Sequence, residues 1–228
     1  DVPVGASLCF SVDTMTEGVH FLASTPAKYV ASRALGAAVS DLAAMGAIPS
    51  HFTLALSLPS VSLTWLQAFS SGLSAAADKF EVSLVGGDTT KGPLTISIQV
   101  HGWLPKGTEL RRSGAQPGDL LVVSGSLGDA AGALAFLDKG EPSEQESLLL
   151  DRYYSPKPRI ELGGFLRQRA SACIDISDGL LADAEHLAQA SSCKLHIATE
   201  TLPLSAALLA CLNEDAEVLA LTGGDDYE

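Results

Sequence analysis

Four short apolar runs in this chain each run into a carboxylate, and that repetition constrains the fold more than any bulk property. "CFSVDT" places Asp13 after Cys9 to Val12, and "VSLVGGDTT" places Asp88 after Val82 to Val85 by way of Gly86 and Gly87. "ACIDISDGLL" sets Asp175 and Asp178 around Ile174 and Ile176, and "VLALTGGDDYE" sets Asp225 and Asp226 behind a second Gly-Gly pair. Short runs of this kind, bounded by turn residues, read as strands. Gly and Asp are also what turns require, so a hairpin at Gly86 to Asp88 is the simplest reading of any one such site. Four of them call for a common explanation, and hard oxygen donors that suit Mg²⁺ rather than zinc supply one.

The order of elements is mixed α/β. In the first half a strand at Leu8 to Val12, a helix, a strand at Phe52 to Leu58, a helix, and strands at Val82 to Val85 and Leu94 to Trp103 follow one another. The first helix, "AKYVASRALGAAVSDLAAMG", carries Tyr29, Ala34, Leu35, Ala38, Leu42 and Met45 at helical spacing and stops at Gly46 and Pro49. "LPKGTELRRSGAQPGD" is the best linker candidate, giving domains at 1–105 and 106–228. The second half reads as a further α/β unit. Its expected strands are Leu120 to Ser124, Ala172 to Ile176 and Lys194 to Ala198, and its helices lie around Gly128 to Lys139, Pro158 to Arg169 and Gly179 to Ala190.

Charge narrows the partners. With 228 residues, 46% of them apolar, the chain can bury a sizeable core. Its net charge of -13 argues against nucleic acid or an anionic membrane surface, though an acidic protein still binds phosphates through metal ions. The four cysteines, Cys9, Cys173, Cys193 and Cys211, form no C-x-x-C pair and read as reduced core residues of a cytoplasmic protein. No apolar run reaches the length of a membrane span. The first residue is Asp, and the final motif breaks off at Glu228, so a segment of a longer polypeptide is expected.

Several residues carry possible chemistry. Asp41 stands among Val39, Leu42, Ala43, Ala44 and Met45. A carboxylate buried there needs a hydrogen-bond partner or a cation, and a helix-end cap is the structural alternative. In "DISDGLLADAEHLAQA", Ser177 or Asp178 is placed to cap the following helix, which leaves Asp175 for another task. Gly-Gly pairs let backbone approach a polyphosphate closely. No G-x-x-x-x-G-K-[ST] occurs, which excludes a P-loop at motif level. His20 follows a turn at Gly18. Arg111 and Arg112 are the most basic point of an acidic chain, placed to clamp a phosphate between domains.

Taken in order, "FSVDTMTEGVHF", "AVSDLAAMGAIP", "LVGGDTTKGPL", "RRSGAQPGD", "DISDGL" and "TGGDDYE" resemble the thiamine-monophosphate kinase family, within the group that includes aminoimidazole ribonucleotide synthetase and selenophosphate synthetase. The resemblance spans essentially the whole chain. It implies two mixed α/β domains, an N-terminal sheet that forms a barrel in a homodimer, and an ATP cleft between the domains. It implies that Ser11, Asp13, Asp41, Asp88, Asp175 and Asp178 hold several Mg²⁺ ions, with only the carbonyl of Val12 available from that residue. Gly87, Asp88, Arg112 and Ser177 match nucleotide contacts, and His20 and Asp225 match positions that bind the acceptor, thiamine monophosphate. Many members carry Glu where Asp225 stands. K⁺ is a further cation compatible with the resemblance. No side chain is implied as a general base, because the acceptor phosphate is already ionised near neutral pH and the obstacle is repulsion between two anions. The competing readings are another ATP-using member of the same group, a Mg²⁺-dependent phosphomonoesterase suggested by Asp-x-x-Asp-Gly, and an acidic metal-binding module without turnover.

Overall fold

The computed structural model describes residues 2–228. Its single sheet lies within the first half: β1 (Ala6–Thr16), β2 (Ile48–Leu58), β3 (Ser83–Lys91) and β4 (Thr95–Pro105), in the order β1-β4-β2-β3. β4 pairs antiparallel with both β1 and β2, whereas β3 runs parallel to β2. A parallel pair needs a crossover, and α2 (Leu63–Phe80) provides it. α1 (Ala27–Ala44) connects β1 to β2.

Alternation decides what the sheet covers. Along β4, Ile96, Ile98, Val100, Gly102 and Leu104 are buried while the residues between them are only half-buried. The buried row packs on α1, whose Val30, Ala31, Ala34, Leu35, Ala38, Val39 and Leu42 are buried together with Phe52 and Ile98 in one apolar core. α1 is buried nearly all round, as a helix enclosed by a sheet and by other helices must be. The opposite face of β1 leaves Leu8, Phe10 and Val12 exposed.

The glycine-rich segment "VGGD" is not a hairpin. β3 continues through Gly86, Gly87 and Asp88, which stand opposite Thr53, Leu54 and Ala55 of β2, with an irregularity of register at Phe52/Thr53. β3 and β4 do not pair with each other, so the turn between them joins strands separated by β2. Gly87 has its own explanation: its φ is +151°, and a Cβ there would lie 1.9 Å from the Leu54 carbonyl oxygen. Gly224, in the second pair, would place a Cβ 2.4 Å from the Ser177 oxygen. Protein backbone, not a ligand, demands both glycines. β2 and β4 are interior, and the sheet's edges are β1 and β3.

Beyond residue 105 the described residues contain no strand. The helices are α3 (Asp129–Ala133), continued by a 3₁₀ turn at Leu134–Phe136, then α4 (Glu144–Tyr154), α5 (Ile160–Leu166), α6 (Leu180–Ser191), α7 (Ala206–Leu212) and α8 (Ala216–Thr222). The segments 120–124, 172–176 and 194–198, expected as strands, form no continuous ladder, although Ile176 exchanges backbone hydrogen bonds with Tyr227 and Glu228. Apolar composition places a segment near a core, whereas a strand also needs a neighbouring backbone to exchange hydrogen bonds with. Here these segments line a cavity of about 860 Å³ with Leu121, Val123, Ile174 and Leu195 among its walls. α4 was not expected from the sequence. A complete capping box at Ser143 and Glu146 starts it, and Leu149 and Tyr153 bury its inner face.

Candidate functional site

Strand alternation on β1 turns Cys9, Ser11, Asp13 and Met15 away from the exposed row of Leu8, Phe10 and Val12 and toward α1. The last turns of α1 bring Ser40 and Asp41 to the same place. Ser11 Oγ donates to Asp41 Oδ2 at 2.5 Å. Ser40 Oγ donates to Asp175 Oδ2 at 2.6 Å, drawing in the segment ahead of α6. Asp41 does not cap the helix end: Met45 occupies that position, and the Asp41 carboxylate is held by Ser11. It lies near the C-terminal end of α1, where the helix dipole disfavours negative charge.

Electrostatics tie the three carboxylates together. Burial, then the charges of Asp41 and Asp175, push Asp13 up to about 6. Burial also lifts Asp175 to about 6, with the Ser40 hydrogen bond opposing it and the charges of Asp41 and Asp183 adding to it. Three carboxylates crowded this way, none of them in a salt bridge with Lys or Arg among the described residues, form an arrangement that a cation would stabilise. Carboxylate and hydroxyl oxygens are the donor set of a hard divalent ion such as Mg²⁺.

Ser177 and Asp178 lie exposed just ahead of α6. Neither caps the helix: Gly179 occupies the cap position, and buried Asp183 reaches back from the first turn to accept from the backbone N–H of Ser177 at 2.9 Å and of Asp178 at 3.0 Å. Oxygens of Asp178 and Asp183 and a ring nitrogen of His186 lie within 4.8 Å of one another.

Two expected members stand apart. Asp88 is exposed on β3, three strand positions from Asp13 on β1, or roughly 14 Å along the sheet. Within one chain β4 and β2 lie between Asp88 and the cluster. Arg112 is exposed in the loop after β4, and its carbonyl accepts from Ser191 Oγ at 3.0 Å. Its neighbour Arg111 pairs with Glu109.

His20 and Asp225 are joined through residues that the sequence did not single out. His20 is exposed, and its Nδ1 accepts from the Thr16 backbone N–H at 3.0 Å. Its carbonyl accepts from Tyr153 Oη at 2.9 Å. The guanidinium of buried Arg33 lies 3.7 Å from the centre of the Tyr153 ring and donates to Asp225 Oδ2 at 2.9 Å. Tyr227 Oη holds the other Asp225 oxygen at 3.0 Å. Glu228, also unforeseen, is paired with Arg152 and Arg159 and accepts from Ser124 Oγ at 2.6 Å. Arg33 and Tyr153 occupy helical positions with no motif around them, so no sequence signal marked either.

The fold and this site define a class. The model for AIR synthase related protein, N-terminal domain, matches residues 1–104, and that for the C-terminal domain matches residues 116–222. Within that class, the chain belongs to the thiamine-monophosphate kinase family. It is 43% identical over 233 residues to the thiamine-monophosphate kinase of Salmonella typhimurium, covering all of this chain and 71% of that one. The crystal structure of thiamine-monophosphate kinase from Stenotrophomonas maltophilia K279a superposes with a TM-score of 0.94 at 44% identity, over 98% of this chain and 73% of that one. AaThiL complexed with AMPPCP and TMP gives 0.95 at 35% identity, over 99% and 74%. Among the described residues, no helix is long and apolar enough to cross a membrane.

Proposed function

We propose that this protein transfers the γ-phosphoryl group of ATP in line to the phosphate of thiamine monophosphate, forming thiamine diphosphate and ADP. The observation that carries the reading is the carboxylate cluster of Asp13, Asp41 and Asp175, in a family whose member AaThiL is solved with AMPPCP and TMP. Donor and acceptor are both anions, so the chemistry needs positioning and charge neutralisation more than proton removal.

Residues 1–105 and 106–228 act as two domains, and their junction is the reaction site. Ser11, Asp13, Asp41 and Asp175 hold Mg²⁺ there, with Asp178 holding a further ion. Bound Mg²⁺ supplies the positive charge that lets two phosphates approach. Ser11 and Ser40 orient the Asp41 and Asp175 carboxylates through their hydroxyls. Gly87, Asp88, Arg112 and Ser177 contact the nucleotide, and His20 and Asp225 contact the acceptor.

Asp88 fits this reading if a second copy supplies it. β1 and β3 are unpaired edges, and Leu8, Phe10 and Val12 are exposed beside one of them. Joining each β1 to the partner's β3 closes two sheets into a barrel, removes the edges and covers those side chains. It also brings Asp88 of each chain beside the other chain's β1.

The test is an assay of the full-length protein with ATP, Mg²⁺ and a panel of phosphorylated acceptors. Thiamine diphosphate and ADP are the expected products, with no turnover after chelation. Release of inorganic phosphate from the monoester without a diphosphate product would establish the phosphomonoesterase instead.

A further inference from the structure

Arg33 is an uneconomical residue as far as stability is concerned. It is 3% exposed in the middle of α1, its Nε has no hydrogen-bond partner, and its guanidinium is matched by one carboxylate and one carbonyl, that of Tyr153. A buried cation loses its hydration, and an apolar residue of similar volume is often as stable or more so. Its connections are what set it apart. On one side Arg33 holds Asp225, whose φ of +70° is a conformation that L-residues other than Asn and Asp seldom adopt. On the other side it stacks on Tyr153, whose hydroxyl holds the His20 carbonyl. The bridge crosses from α1 to α4 and from there to the loop after β1 and the segment after α8.

We propose that Arg33 is a positioning residue for the acceptor. It fixes the half-buried Asp225 carboxylate and, through Tyr153, fixes the His20 loop, so that the two acceptor contacts keep one separation. This rests on the reading of His20 and Asp225 as acceptor contacts. Tyr227 shares the task on the Asp225 side only, since its hydroxyl reaches that carboxylate and not the His20 loop.

Steady-state kinetics of the full-length enzyme, with ATP and thiamine monophosphate varied in turn, test it. Tyr153→Phe keeps the ring under Arg33 and removes only the hydroxyl bond to His20. Arg33→Met removes the bridge and Arg33→Lys restores the charge without the fork. Tyr153→Phe is expected to raise the KM for thiamine monophosphate about tenfold and to leave the KM for ATP within about twofold, with melting little changed. Arg33→Met should have a larger effect in the same direction, and Arg33→Lys an intermediate one. Lys157→Ala, which breaks an exposed pair with Asp151, is the control. An unchanged acceptor KM in Tyr153→Phe and Arg33→Lys, or equal loss toward both substrates, would overturn the inference. His20→Ala and Asp225→Ala separate the two levels: if they raise the acceptor KM and the Arg33 and Tyr153 variants do not, only the inference fails. If they too leave it unchanged, the reading of the acceptor site fails and the inference falls with it.

Discussion

Asp13 on β1 and Asp88 on β3 stand at the two opposite edges of one four-stranded sheet. Within one chain three strand spacings separate them, and a shared role across two chains makes a distinctive prediction. Asp88→Asn and Asp41→Asn should each lower turnover by at least about 100-fold, on the order of 3 kcal/mol of transition-state stabilisation, without unfolding the chain. Co-expressed, the two inactive variants should recover about a quarter of wild-type activity, because half of randomly assembled dimers are mixed and each mixed dimer keeps one intact site. Recovery at background level would place Asp88 outside the partner's site.

Asp41 also allows a test that needs no turnover. It is crowded by Asp13 and Asp175 and lies at the unfavourable end of α1, so the metal-free protein carries unrelieved repulsion there. Asp41→Asn keeps an oxygen to accept from Ser11. The variant should therefore melt higher than wild type without metal, by about 1 kcal/mol of stability, and lose most of the rise in melting temperature that Mg²⁺ gives wild type. Calorimetry with chelator and with Mg²⁺ measures both. An equal Mg²⁺ response in the two proteins would remove Asp41 from the ligand set.

Much of this was legible in the residues, for identifiable reasons. The N-terminal elements followed from periodicity because α1 and the strands each present one clear buried face. Ser11, Asp13, Asp41 and Asp175 were grouped, with Asp88 and Asp178, only through the ordered motifs, since sequence spacing does not show that β1, α1 and the segment before α6 converge. The hairpin at Gly86 to Asp88 misread a real signal. The glycine is required by a close backbone crossing inside a parallel ladder, a non-local fact that local turn chemistry cannot express. The strands expected at 120–124, 172–176 and 194–198 failed similarly, since pairing depends on neighbours far along the chain. Arg33 and Tyr153 were invisible because a buried Arg on a helix has no local sequence signature.

The two glycines of β3 should respond unequally to a methyl group. Gly87→Ala forces a Cβ to within 1.9 Å of the Leu54 oxygen at positive φ, whereas a Cβ on Gly86 meets only Thr53 Cγ2 at 3.9 Å. Gly87→Ala should cost at least about 2 kcal/mol by denaturant unfolding, and Gly86→Ala less than about 1 kcal/mol. Equal stabilities would mean that β3 does not follow the ladder described.

Asp226 gives the pH dependence of stability a sign. It is 2% exposed, and burial pushes it up to about 7, although the N–H groups of Gly128 and Ala130 and the charge of Arg152 favour the ionised form and only Asp129 adds to the rise. In the unfolded chain an aspartate titrates near 3.8. The folded state therefore holds this proton more tightly, and between those two values folding takes up a proton. Stability from this group is fully present below about pH 4 and is lost as pH rises through about 7, on the order of 4 kcal/mol at full extent. Asp13 and Asp175 contribute in the same direction, so the slope of wild type alone does not isolate Asp226. Asp226→Asn does: it keeps an oxygen for the 2.7 Å bond from Gly128 and has no proton to lose. Urea unfolding of the metal-free proteins at pH 5 and pH 8 should show a smaller loss of stability in Asp226→Asn than in wild type, with the variant the more stable of the two at pH 8. Identical losses would mean that Asp226 stays ionised across this range in the folded protein.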